Sequence, residues 1–316
     1  MKTSAIIRIV IYAFLAVLLV GILCVGILKP GWIPSKFIIH TGGLQSELDY
    51  PDSESYTRGG GSVQPDLVEK IEVHWGAGEV LISTYDGDRI RFSETADSKL
   101  SEDEEMRYLI RDGKLFIQHR KPFSFFGIGE AYKQKTLTLE IPASMTKASA
   151  LQELKLETIS ASMTANDLAA QDLRINTTSG DLSLTHAVCD TAELETTSGN
   201  ITANDLTAQE LTVDAVSGEI SLDGDFSKIS AEAVSGDMEI SSKICPEAVE
   251  MDSVSGNLTL LIPENDGFTT GFESVSGDFF CEFSTQNSKH SCLYKNGEAE
   301  FRMETVSGDM QIKRIG

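Results

Sequence analysis

Two patterns of apolar and polar positions divide the chain. Residues 9–28 run without a charge, as IVIYAFLAVLLVGILCVGIL. At about 1.5 Å of rise per residue, a helix of that length spans the roughly 30 Å hydrocarbon core of a bilayer. From Val68 onward apolar and polar residues alternate instead with period two, the pattern of strands with one buried face. The alternation predicts strands over 68–75, 79–84, 89–93, 114–119 and 136–141, interrupted by an acidic loop at 101–105 (SEDEE). Between the two regimes, residues 41–66 are polar and rich in Gly and Ser, with a glycine triplet at 59–61, and are read as a flexible spacer.

The later half is repetitive. A Ser-Gly-acid/Asn unit recurs with its glycine at Gly180, Gly199, Gly218, Gly236, Gly256, Gly277 and Gly308, at intervals of 19, 19, 18, 20, 21 and 31 residues. A degenerate copy, Ser160-Ala161-Ser162, precedes the first, and Gly76-Ala77-Gly78 is a more distant one. Aligned on Gly, the position five before is apolar in every copy (Ile175, Leu194, Val213, Ala231, Met251, Phe272, Met303). So are the positions two after (Leu182 to Met310) and four after (Leu184 to Ile312). Each unit therefore reads as strand, turn, strand, with alternate side chains inward and Gly at a corner where it permits a positive φ. A sustained period near 19 means stacked rungs.

The fold class is thus all-β: a β-solenoid of about 19-residue rungs with SGD-type turns, preceded by one N-terminal transmembrane helix. Its parts are a cytoplasmic stub and anchor at 1–36, a linker at 37–66, a strand-rich opening at 67–150 and the regular repeat at 151–316. Seven steps from Ala161 to Gly308 at about 4.8 Å predict a stack roughly 34 Å long.

The repeats, of form VSGD with apolar residues two and four after Gly, resemble a bacterial family of candidate adhesins, domain of unknown function 4097. IEVHWGAGEVLIS, DGDRIRF, DGKLFIQH and KTLTLEIP resemble that family's opening strands. The likeness extends over about 68–315 and implies an envelope-associated β-solenoid, linked to adhesion or to envelope-stress signalling, without established catalytic residues.

Charge narrows the partners. The chain carries 26 basic and 48 acidic residues, net −22, which excludes a phosphate-neutralising nucleic-acid surface. Acids recur after the corner (Asp181, Glu219, Asp237, Asp278, Asp309, broken by Asn200 and Asn257) and four before it (Glu195, Asp214, Glu232, Asp252, Glu273, Glu304). The first set are weak candidates for a cation-binding stripe; the competing reading is solubility and turn geometry. No metal site is otherwise expected, since CxxC and HExxH are absent and the five histidines are scattered. The repeated serines form a hydroxyl ladder without a paired base, and no pair of carboxylates stands apart as an acid–base couple, so neither an enzyme nor a cofactor is expected.

Four cysteines lie beyond the apolar segment. Cys189 and Cys245 fall three rungs apart, too far for a disulfide, whereas Cys281 and Cys292 bracket the enlarged interval and form a candidate pair. The aromatic loop 122–131 is read as a cap over the first rung or an exposed tip. Residues 9–28 fit an uncleaved anchor better than a cleaved signal, with the C-terminal body outside the cell. The expected function is a non-enzymatic, membrane-anchored binding module of the cell envelope, adhesin-like, with an unknown envelope ligand. The alternative is a regulatory or structural role in cis, sensing or sequestering cationic peptides.

Overall fold

The computed structural model describes residues 50, 52–121, 132–146 and 151–315. The apolar segment 9–28 and the loop 122–131 lie outside the described residues. From Asp52 onward these residues belong to one compact unit. Its regular structure is β-strand, with short 3₁₀ turns at Ser53–Ser55, Pro65–Leu67 and Ala143–Thr146.

Leu182–Thr196 and Ile201–Ser217 show how a rung is made. They pair in parallel in three segments, 182–185 with 201–204, 187–189 with 206–208, and 191–196 with 210–215. At the break between the first two segments, Asp167, His186 and Asp205 occupy the left-handed region at φ 55, 52 and 58. Asp and His tolerate that conformation better than most residues. The one 18-residue interval has its origin here. The register shifts between Ala203 and Leu206, so that Asp223 and Gly224 turn the corner with one residue fewer.

The glycine units form the other corner, where Ser179, Ser198 and Ser217 donate side-chain hydrogen bonds to carbonyls of the preceding rung. Gly218, Gly236, Gly256, Gly277 and Gly308 have φ between 116 and 145. Gly180 and Gly199 do not use the positive φ that glycine permits. Their turns are closed by a threonine three residues earlier, Thr177 and Thr196, whose hydroxyl accepts the glycine amide at 2.9 and 2.8 Å. Glycine is still required there by close approach: a Cβ on Gly180 would lie 1.9 Å from the Ala161 carbonyl oxygen.

The rungs do not stack in chain order throughout. Lys70–Tyr85 lies between Glu153–Ala169 on one side and Lys114–Gln118 with Lys135–Pro142 on the other. Gly78 thereby joins the corner column opposite Ala161. At the far end, Ala299–Ser307 and Met310–Arg314 insert between the rung of Gly256 and that of Gly277. The enlarged interval is therefore not a swollen rung. The chain lays down the outermost rung first, makes a hairpin, and returns to fill the gap. From Lys135 to Gly277 the corner column makes nine steps, roughly 43 Å at about 4.8 Å each, against the 34 Å expected from Ala161 to Gly308.

The apolar columns are buried as the alternation requires. Ile175, Leu194, Val213, Ala231, Met251 and Met303 are all at most 1% exposed. Phe272, Phe279 and Cys281 are partly exposed because their rung is the outermost, and the two rings stack at 3.9 Å. Antiparallel strands flank both ends, as a solenoid needs to protect its terminal edges. Ile90–Ala96 and Arg107–Arg111 pair with the first rung, and Ser291–Lys295 with part of the last. Thr57–Arg58 and Gly61–Val63, expected to be flexible spacer, extend the first of these layers. The backbone of the glycine triplet is well suited to that edge, since a Cβ on Gly60 would meet the Phe92 carbonyl oxygen at 2.6 Å.

Candidate binding surface

Residues four before the corner point outward and form one column along the stack. Its order is His74, Glu157, Asn176, Glu195, Asp214, Glu232, Asp252, Glu304 and Glu273. Basic side chains pair with carboxylates near both ends. At one end His74 lies between Glu72 at 2.6 Å and Glu157 at 2.7 Å, with Lys114 on Glu72 and Lys155 on Glu157. Burial opposes protonation of His74, but hydrogen bonds and attraction from the two glutamates raise its pKa to about 9. Burial likewise opposes the charge on Glu72, and His74 and Lys114 overcome it, holding the carboxyl at about 2. At the other end Arg302 bridges Glu250 at 2.7 Å and Glu304 at 2.8 Å.

The middle of the column is less well compensated. Burial first, and neighbouring carboxylates second, raise the pKa values of Glu195 and Asp214. Asp252 is pushed up to about 7 by burial and by Glu304. Unit charges about 4.8 Å apart repel by several kcal/mol at an effective dielectric near 20, so a cation laid along this stretch would relieve real repulsion. Beside it runs an open groove of about 540 Å³. The small side chains of Thr212, Ser230 and Ala248 line it, with the Glu210–Lys228 pair at 3.0 Å and the Glu250–Arg302 pair also along it.

The residues after the corner have a structural task. Asp181 Oδ1 accepts the amide of Asn200 at 2.9 Å, and Asn200 Oδ1 accepts that of Glu219 at 2.9 Å. The same link runs from Asp237 to Asn257, from Asn257 to Asp309 and from Asp309 to Asp278, at 2.8–3.0 Å. Each short side chain thus hydrogen-bonds the next rung. This brings the candidate cation ligands Asp181, Glu219, Asp237, Asp278 and Asp309 into one column, interleaved with Asn200 and Asn257. Among the described residues no group of three or more His, Cys, Asp or Glu side chains is arranged to hold a metal ion.

The histidines fall into different settings. His186, exposed at the second corner, stands 3.7 Å from Asp167 and 3.6 Å from Asp205. His119 is buried against Trp75, and burial, then Lys135 and Arg120, depress its pKa to about 2. Lys135 itself has a fully buried side chain. It donates to Glu94 at 2.6 Å and to the carbonyls of Glu104 and His119, pinning the first rung to its cover. These networks were not anticipated from the sequence. The partner Glu157 of His74 and the partners Glu94 and Glu104 of Lys135 come from segments 31–83 residues away, brought together by the non-sequential first rungs.

The corner ladder, the buried apolar columns and the 19-residue rungs run through a region whose residues 68–313 match the family model described as Toastrack DUF4097. Similar solved structures include a candidate cell adhesion protein from Clostridium sporogenes, 16% identical, spanning 82% of this chain and 100% of that one at a TM-score of 0.28. A candidate adhesin from Bacteroides fragilis is 12% identical over 81% and 96% of the two chains, TM-score 0.46. A candidate lipid-binding protein from Parabacteroides distasonis is 14% identical over 82% and 97%, TM-score 0.48. No curated protein matched. With the family model spanning most of its length, the chain belongs to the Toastrack DUF4097 family.

Proposed function

We propose that the protein is a non-enzymatic binding module of the cell envelope, adhesin-like, held at the membrane through residues 9–28 with its β-solenoid outside the cell. The observation that carries this reading is the outward face of the strands preceding the corner. It is long, regular and rigidly stacked, and it bears a groove of small side chains beside paired charges. Such a surface suits an extended polymer, because every rung repeats the same contacts at a fixed spacing. The test is co-sedimentation of the full chain, in detergent, with purified envelope polysaccharide and peptidoglycan. Binding that survives high salt and is weakened by Ser230→Arg in the groove supports the reading. Absence of binding to every envelope polymer overturns it.

A second reading has its own support in the under-compensated stretch from Glu195 to Asp252. A cationic peptide lying along it would lower the mutual repulsion of the acids, as a regulatory or sequestering protein in cis would require. Its signature is peptide binding that weakens steeply with salt and is lost when Asp214, Glu232 and Asp252 are changed together to their amides.

A further inference from the structure

Toward the far end, each rung hands three hydrogen bonds outward to the next. The corner glycine amide donates to the serine carbonyl of the next rung, from Gly236 to Ser255, Gly256 to Ser307 and Gly308 to Ser276, at 3.0–3.1 Å. The amide two residues after the glycine donates to the next rung from Met238 to Asn257, Leu258 to Asp309 and Met310 to Asp278, each at 2.9 Å. The Asp or Asn between them accepts an amide of the next rung at 2.8–3.0 Å. On the outermost rung the series stops: among the described residues the Gly277 amide, the Phe279 amide and the Asp278 carboxylate have no partner. Ser291–Lys295 covers only Gly267–Gly271, and the chain from Glu273 to Cys281 is paired on its inner side alone. No disulfide ties that edge to the hairpin, since Cys281 and Cys292 are both free. Its side chains also depart from the repeat. Three after the glycine, the inner rungs carry Ser183, Thr202, Ser221, Glu239, Thr259 and Gln311, whereas the outermost carries Phe280, 54% exposed. Val275 is 60% exposed, and the stacked Phe272 and Phe279 rings end the core partly open. The stretch contains neither lysine nor proline, residues that commonly blunt an open edge. Glu273, Asp278 and Glu282 stand along it without an ion pair among the described residues, because Arg302 and Arg314 are engaged by Glu250, Glu304 and Glu264.

We propose that this edge docks a strand of a partner protein, one whose apolar side chains alternate with lysine or arginine and which adds to the stack by β-augmentation. Carbonyls of the partner strand accept the Gly277 and Phe279 amides, and one of its amides donates to Asp278, repeating the contacts between inner rungs. Its apolar side chains cover Phe272 and Phe279. Its basic side chains, on the outer face, pair with Glu273, Asp278 and Glu282 and lay their stems against Phe280. Charge selects against a second copy as the occupant. Head to head, a copy would set the same carboxylates against each other, and its opposite end is already covered by Ile90–Ala96 and Arg107–Arg111. The open edge is short, which favours a strand held extended by a folded partner over a free peptide that must be ordered on binding. This site is separate from the groove beside Thr212, Ser230 and Ala248, and stands whether or not that groove binds a polymer.

The test titrates the full chain, in detergent, into fluorescein-labelled β-hairpin peptides cyclised by a disulfide, with lysine and valine alternating along the strands, and reads anisotropy. The comparisons are a glutamate–valine hairpin, a linear lysine–valine peptide and a lysine–valine hairpin methylated on its outward backbone amides. The unmodified lysine–valine hairpin should bind about tenfold more tightly than any of the three and should slow amide exchange over 273–281. Phe280→Ser, which restores the polar residue of the inner rungs, should weaken binding about tenfold with melting unchanged. Asp278→Asn should flatten the salt dependence. Changing Asp214, Glu232 and Asp252 together to their amides should leave binding unaltered, which separates this edge from the acidic column. The proposal is overturned if no hairpin binds, if Phe280→Ser binds as tightly as wild type, or if exchange over 273–281 does not change. It is equally overturned if the linear peptide binds as well as the hairpin, or if the triple amide variant loses binding. A concentration-dependent dimer in sedimentation velocity that Phe280→Ser abolishes would assign the edge to a second copy and overturn it too.

Discussion

Gly236 sits in the middle of the stack, where its substitution tests the corner geometry directly. Its φ is +116, and a Cβ built on it would lie 2.0 Å from the Gly218 carbonyl oxygen and 2.9 Å from the carbonyl carbon. Alanine there meets two separate obstacles. A non-glycine residue in that backbone region costs about 1–3 kcal/mol. Relieving the contact means moving the rung of Gly218 away or shifting Gly236 toward the rung of Gly256, to which its amide is tied by a 3.1 Å hydrogen bond to the Ser255 carbonyl. Overpacking of this kind costs about 1–3 kcal/mol. The two overlap, since one backbone shift eases both, so a total near 3 kcal/mol is expected for Gly236→Ala, and more for Gly236→Val.

For a unit of this size that loss lowers the melting temperature by roughly 10 °C, read by circular dichroism. Because each rung contacts only its neighbours, a break in the middle also uncouples the two halves, and the single transition should broaden or split. Gly271→Ala is the control: its φ is ordinary and nothing lies within 4 Å of the added carbon. If Gly236→Ala melts within a degree of Gly271→Ala, neither the positive φ nor the close approach constrains this corner, and the explanation of the repeat's glycine fails.

Three further outcomes follow from the ladders. Asp237→Ala should destabilise by about 1 kcal/mol through loss of its bond to the Asn257 amide, while Asp237→Asn, which keeps Oδ1, should be near neutral in urea titration. His74 and His119 should give opposite pH trends. The pKa of His74 is raised from 6.5 to about 9, so its contribution is full below pH 6.5 and lost as pH rises through 9; the melting difference between wild type and His74→Gln should shrink over that window. His119 is depressed to about 2, so stability falls with pH below 6.5, and His119→Phe should flatten that slope; an unchanged slope would refute the assignment. Asp252, raised from 3.8 to about 7, opposes folding increasingly as pH rises through that range, so Asp252→Asn should raise the melting temperature at pH 8 and have little effect at pH 4.

What the sequence discloses and what it withholds have a common cause. A rung is local: its apolar columns, such as Leu194, Val213 and Ala231, are set by alternation and by a corner glycine recurring every 18–21 residues, and they appear in the structure where the pattern puts them. The Asp and Asn after the corner are also legible as a class, although their shared role is not. The reason for a short side chain is the 2.8–3.0 Å reach to the next rung's amide, a contact between residues 19 or more apart that no single repeat contains. Stacking order is illegible for the same reason. Periodicity states that Gly308 belongs to a rung, but it is equally satisfied whether that rung follows Gly277 or slides between Gly256 and Gly277. Side-chain volume and edge protection decide between the two. Insertion places Met303 and Met310 in the core at 0% exposure and leaves the stacked Phe272–Phe279 pair on the outermost rung.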